Sequence, residues 1–170
     1  MNNDLVFTPI RQLAELLKSR QISPMQLSEI FLDRLEQRGP SYNALTTLTR
    51  ERASRQAEQA EREISAGDYK GPLHGIPWGA KDLLATSDGI PTSWGAAPLK
   101  DQTFDFDATV VRRLEEAGAV LAGKLAMIEL AGGMGYRQPT ATFTGPPRNP
   151  WNRERSEEHT SELQSHLNIV

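Results

Sequence analysis

The sequence predicts an α/β layer fold with a largely parallel sheet, and three observations carry that expectation. Amphipathic helical stretches alternate with short apolar runs. The stretch from Asp107 to Gly118 reads as a helix that leads straight into the apolar run Ala119 to Ala122, the pattern of a βαβ crossover. At 170 residues, 38% of them hydrophobic, the chain has enough apolar material for the core of one domain.

Thr8-Pro9 reads as an N-cap with proline at the first helical position, followed at helical spacing by Ile10, Leu13, Ala14 and Leu17. Ser23-Pro24-Met25-Gln26 is a capping box, in which the serine hydroxyl and the glutamine amide each satisfy a free backbone N–H of the other's residue. It opens a second helix with a stripe of Leu27, Ile30, Phe31 and Leu35 that is expected to stop before Gly39-Pro40. Ala44 to Thr49 is short and rich in β-branched residues, as a strand requires. Arg50 to Ala66 is rich in helix formers, with a narrow stripe of Ala53, Ala57, Ala60 and Ile64 and charges expected to form a wetted face. In the last helix Asp107 is the expected cap, Val110, Val111, Leu114 and Ala117 the apolar face, and Gly118 the stop.

Charge and composition exclude several functions. Lys and Arg number 19 against 22 Asp and Glu, a net charge of −3, so no electropositive footprint exists for a nucleic acid backbone. With no cysteine there are no disulfides, thiolate nucleophiles or cysteine-based zinc sites, in keeping with a reducing compartment. The N-terminus MNNDLVF lacks the basic and apolar regions of a signal peptide, and no stretch reaches membrane-spanning length, so the cytoplasm is the expected location.

One residue stands against its surroundings. Lys81 lies in GIPWGAKDLL, Gly75 to Leu84, an apolar run suited to a buried strand. In one reading its stem packs on apolar surface while the ammonium reaches water or pairs with Asp82. In the other it is a general base. A lysine in water titrates near 10.4, so service as a neutral base near pH 7 asks desolvation for roughly 4 kcal/mol.

The segments GPLHGIPWGAKDLLATSDGIPTSWGA, ATVVRRLEEAGAVLAGKLAMIELAGG and FTGPPRNPWN resemble the N-terminal part of an amidase signature family enzyme, most specifically over Gly71 to Asp82. The resemblance implies the first part of an α/β/α amidase-signature fold, a mixed sheet flanked by helices, left incomplete at residue 154. It also implies an amide hydrolase with a serine nucleophile, a second serine held by a cis peptide, and a lysine base at Lys81 acting through that bridging serine. Such an enzyme converts a carboxamide to a carboxylate and ammonia, takes a small-molecule amide as substrate, and needs no cofactor and no metal. A variant within the family is the amidase-like subunit of a tRNA-dependent amidotransferase, which hands ammonia to a partner subunit. Outside it stands a non-catalytic α/β scaffold in which Lys81 is structural. Oligomeric state is left open.

The glycine- and serine-rich loop that follows NPWN in the family does not follow here: the chain gives Arg153, Glu154 and Arg155, then SEEHTSELQSHLNIV, with no glycine after Gly145. None of Ser156, Ser161 and Ser165 has the required context, so no nucleophile is assigned and residues 1–170 by themselves are expected to be inactive. RSEEHTSELQSH resembles, residue for residue, one reading frame of a widely used sequencing adapter. The expected division is therefore 1–154, the N-terminal part of an amidase domain, and 155–170, an artefactual tail. His159 and His166, seven residues apart, lack a fixed ligand set and read as solvated rather than metal-binding.

Gly132-Gly133-Met134-Gly135 has neither the lysine of a phosphate loop nor dinucleotide spacing and reads as a tight turn. His74 reads as a polar contact in a turn, Trp94 and Tyr136 as packing or pocket aromatics, and Asp101, Asp105 and Asp107 as loop and cap.

Overall fold

Ser23 and Gln26 show how directly local sequence becomes structure. The Gln26 N–H donates to Ser23 Oγ at 3.2 Å and the Ser23 N–H to Gln26 Oε1 at 3.1 Å, closing the expected capping box. The computed structural model describes residues 5–132 and 142–154. The run from Gly133 to Gly135, Tyr136 and the tail from 155 to 170, with its three serines and two histidines, lie outside them.

Among the described residues, four helices and three strands follow in chain order: α1 Ile10–Lys18, α2 Pro24–Tyr42, β1 Leu45–Leu48, α3 Arg50–Ala66, β2 Pro77–Lys81, α4 Thr109–Glu116 and β3 Val120–Leu125. Three boundaries differ from the sequence reading, each for a local reason. Pro9 is the N-cap of α1 rather than its first residue, because its ψ of 143° is extended. Helix α2 runs through Gly39 and Pro40 to Tyr42. Pro40 forfeits one N–H, but Asn43 takes the left-handed conformation at φ 49°, and the Asn43 and Ala44 N–H groups close the last turn on the Pro40 and Gly39 carbonyls. Helix α4 is capped at Ala108, since the Asp107 carboxylate is engaged elsewhere.

The sheet has the order β1-β3-β2. β2 and β3 are parallel and joined by a crossover containing α4, as expected, whereas β1 pairs with β3 antiparallel. The sheet is thus mixed rather than largely parallel, as the family resemblance implied. Both pairings carry an irregularity, between Leu45 and Thr47 and between Trp78 and Gly79. In the second, Trp78 faces Leu121 and Gly79 faces Gly123, leaving Ala122 as the extra residue of β3. A bulge offsets the in-and-out alternation by one. Val120 and Ala122 join the helical core with Leu32, Ala53 and Ala57, while Lys124 reaches a different set of neighbours.

A second cluster joins Leu13, Leu17, Ile22, Leu27, Ile64 and Ile76. The stripe of α3 is buried as read, but its charges are not all wetted: Arg52 is 4% exposed. It grips Asp107 through two hydrogen bonds of 3.0 and 2.7 Å and Glu115 through one of 2.6 Å. Burial opposes the Arg52 charge, yet the two carboxylates outweigh it and hold the guanidinium above its ordinary pKa.

Gly118, in the left-handed region at φ 80°, lies against the ring of His74; a Cβ there would stand 2.2 Å from His74 Cδ2. His74 is fully buried and does more than the turn contact expected of it. Its Nδ1 accepts from the Lys70 N–H at 3.1 Å, so Nε2 carries the proton that faces Glu63 Oε2 at 2.9 Å.

Candidate active site

Strand β2 delivers Lys81 and Asp82 to the same end of the sheet, and their environments are opposite. Lys81 is exposed and Asp82 is 1% exposed. The apolar neighbours of Lys81 in sequence therefore do not bury it among the described residues, and Asp82 does not pair with it. The partner of Asp82 is Lys124 on β3, itself fully buried, whose Nζ lies 3.3 Å from Asp82 Oδ1 in an ion-pair contact without hydrogen-bond alignment.

Lys124 organises the segment that follows Lys81. Its ammonium donates to the Leu84 carbonyl at 2.9 Å, the Pro91 carbonyl at 3.3 Å and Thr92 Oγ1 at 2.6 Å. Desolvation lowers the Lys124 pKa below that of an ordinary lysine, and the Asp82 carboxylate opposes the shift. The other carboxylate oxygen, Asp82 Oδ2, accepts from the Ser93 N–H at 3.1 Å and from the Ser93 hydroxyl. Ser93 Oγ accepts in turn from the Gly95 N–H at 3.1 Å.

Backbone bonds complete the fold-back. The Asp82 N–H donates to the Leu125 carbonyl at 3.0 Å, continuing the β2 and β3 ladder by one residue. The Trp94 N–H donates to the Asp82 carbonyl at 3.2 Å, and the Leu84 N–H to the Lys81 carbonyl at 3.0 Å. Trp94 pivots at φ 52°, an uncommon conformation for a bulky residue, and Gly95 follows at φ 72°. A Cβ on Gly95 would stand 2.6 Å from the Met127 carbonyl oxygen, so only glycine lets this turn pass the chain after β3.

Ser93 with Asp82 and Lys124 has the composition of an activated serine, but Ser93 is 1% exposed and its hydroxyl is spent on a carboxylate. It is a structural hydroxyl. Trp94 is 36% exposed and stacks in a tilted arrangement on Phe104 at 6.3 Å, which meets Phe106 edge-on at 5.5 Å. These aromatics border the open side of the same turn rather than filling the core. Asp101 and Asp105 are exposed loop residues, as read.

Sequence reasoning missed Lys124, although the signal that singled out Lys81 is present there too: a lysine within an apolar run, AVLAGKLAM from Ala119 to Met127. The run around Lys124 is the one that is buried. Nothing in the sequence distinguished the two, because the difference arises from the central place of β3 between β1 and β2 and from the return of residues 84–93. Among the described residues no group of three His, Cys, Asp or Glu could hold a metal ion, and no helix is long and apolar enough to cross a membrane.

Comparison with known proteins gives consistent relatives. A family profile described as Amidase matches residues 26–157. One component of the Glutamyl-tRNA(Gln) amidotransferase of Halorhodospira halophila is 42% identical over 142 residues, which cover 84% of this chain and 28% of that protein. Among solved structures, native peptide amidase from Stenotrophomonas maltophilia superposes with a TM-score of 0.79 at 30% identity, covering 88% of this chain and 31% of the other. An amidase family protein from Bacillus anthracis superposes with a TM-score of 0.82 at 27% identity, covering 95% and 34%. The chain thus spans about a third or less of the length of these relatives.

Proposed function

The chain belongs to the amidase signature family, and from that membership we propose that it is the N-terminal part of an enzyme that hydrolyses a carboxamide to a carboxylate and ammonia, with Lys81 as general base. The observation that carries the reading is the placement of Lys81: the last residue of β2, exposed, with the segment after it pinned by a buried ion pair. A base needs a fixed backbone and a reachable amine, and both conditions are met here.

A neutral amine also needs shelter from water. The described residues leave Lys81 open, so the reading assigns its cover to substrate and to the rest of the enzyme, which would also bring the nucleophile, the cis-held serine and the oxyanion donors. In that arrangement Lys81 takes the proton of the bridging serine, which takes that of the nucleophile as its oxygen attacks the amide carbon. A proton returns along the same relay to the leaving nitrogen as the C–N bond breaks and ammonia departs, and water then hydrolyses the serine ester to release the carboxylate. Residues 1–170 alone carry no assigned nucleophile and are inactive in this reading.

The test is Lys81→Ala in the full-length protein, assayed for ammonia release from a panel of carboxamides. A general base contributes about 10²- to 10⁴-fold, and kcat is expected to fall by that factor. Normal turnover in the variant would remove Lys81 from the mechanism.

A second reading has one observation in its favour: the 42% identity to a component of an amidotransferase. On it, the ammonia passes to a partner protein, and turnover of the purified protein rises when that partner is restored. Turnover independent of any co-purified protein favours the free amidase.

A further inference from the structure

Lys124 and Asp82 are a buried ion pair, and the hydrolytic reading gives them no chemistry. Burying a lysine and an aspartate carries a desolvation cost that a pair of apolar residues would avoid. Their neighbours indicate what that cost secures. Every group that Lys124 holds belongs to residues 82–92, the stretch that begins immediately after Lys81: Asp82, the Leu84 carbonyl, the Pro91 carbonyl and Thr92 Oγ1. Leu84 passes the constraint on directly, since its N–H is bonded to the Lys81 carbonyl while its own carbonyl is bonded to Lys124. Asp82 passes it on from the other side through Ser93 and through its place in the ladder with Leu125.

We propose that Lys124, Asp82 and Ser93 are positioning residues for Lys81: the buried ion pair and its hydroxyl bridge fix the turn after β2, and thereby the direction in which the Lys81 ammonium is presented. The proposal rests on the reading of Lys81 as general base. The cluster does not touch substrate and transfers no proton. Its part is to hold the base within the narrow range of positions from which a serine hydroxyl can be deprotonated, a range in which a displacement of about 1 Å costs about 100-fold in rate. Lys124 can do this because three of its contacts are ordinary hydrogen bonds to the loop, so it ties several points of one turn to the central strand at once.

The experiment uses the full-length protein and four variants, Lys81→Ala, Ser93→Ala, Thr92→Val and Lys124→Met, with kcat, KM and the pH dependence of kcat/KM measured for one carboxamide. Thermal unfolding reports which variants are folded. The expected result is a fall in kcat of about 10- to 100-fold in Ser93→Ala and Thr92→Val at nearly unchanged KM, with a displaced acidic limb of the pH profile. A residue that serves stability alone would lower the unfolding temperature and leave kcat and that limb in place. Folded Ser93→Ala and Thr92→Val proteins with wild-type kcat and pH profile would overturn the proposal, and they decide the matter if Lys124→Met does not fold. If Lys81→Ala keeps its activity, the base reading fails and the proposal with it. If Lys81→Ala is inactive while the other variants are unaffected, only the positioning proposal fails.

Discussion

Arg52 on α3 and Asp107, 55 positions further along the chain, face each other as a fork on a carboxylate, with paired hydrogen bonds of 3.0 and 2.7 Å. The Ser87 N–H donates to the same Asp107 oxygen that meets Arg52 Nη1, at 2.8 Å. The long excursion between β2 and α4 is thus tied to the third helix before the chain enters β3, and the 2.6 Å pair of Arg55 with Asp88 adds a second tie.

Cutting one side of this tie removes one of the two carboxylates bonded to a buried charge. Asp107→Ala is expected to destabilise the folded protein by about 3 to 5 kcal/mol, measured by denaturant unfolding. A loss under about 1 kcal/mol would mean that Glu115, 2.6 Å from Arg52, is sufficient compensation.

Asp107 and His74 are two of the described groups whose titration couples stability to acid. The bond from Arg52, aided by Ser87, holds the Asp107 carboxyl below its ordinary pKa. Its stabilising effect is present above the unfolded value of about 3.9 and disappears as pH falls through the folded value. His74 is held below its ordinary pKa by burial, against the pull of Glu63. Here the unfolded chain binds the proton more readily, so stability declines as pH falls from about 6.5 toward the folded value. Unfolding temperatures from pH 7.5 downward should therefore begin to drop near 6.5, and His74→Gln should remove that first decline.

Gly118→Ala puts a methyl group 2.2 Å from the His74 ring in a backbone conformation that alanine avoids. Strain of this kind costs about 1 to 3 kcal/mol before the clash is counted. Combining it with His74→Ala should recover the steric part and leave the backbone part, which a double-mutant cycle resolves.

Removal of the Ser23 hydroxyl breaks the capping box, and Ser23→Ala is expected to cost about 1 kcal/mol. An unchanged unfolding midpoint would show that Pro24 alone sets the start of α2.

Residues 1–170 expressed alone should self-associate. Among the described residues, strands β1 and β2 are the open edges of the sheet, and Phe7, Ile10, Phe106, Leu130 and Trp151 each expose more than half of their surface. A monodisperse monomer in light scattering, unfolding in one cooperative step, would refute this.

Much of the fold was legible because its causes are local. Helix α3 begins and ends where composition places it, with its alanine stripe buried, and the capping box of α2 closes as its four residues require. The continuation of α2 through Pro40 was not legible, since it depends on Asn43 accepting a left-handed conformation beyond the last turn. Nor was the antiparallel placement of β1, whose paired residues on β3 lie 75 or more positions away. At the candidate site, Lys81 was singled out by its chemistry and by family resemblance, while Lys124 was passed over. Its burial depends on the central place of its strand in the sheet and on a loop that returns to meet it, and neither leaves a mark in the run of letters around it.

Strand β3 is the middle of the sheet and also the last of the three to be made. On the ribosome, β1 and β2 therefore emerge with nothing to pair with, and they wait until Val120 to Leu125 have cleared the exit tunnel. The helices can form at once from their own neighbours, so the nascent chain passes through a stage of ready helices and idle strands. The Asp82 carboxylate spends that stage in water, and it loses its hydration only when Lys124 arrives to meet it.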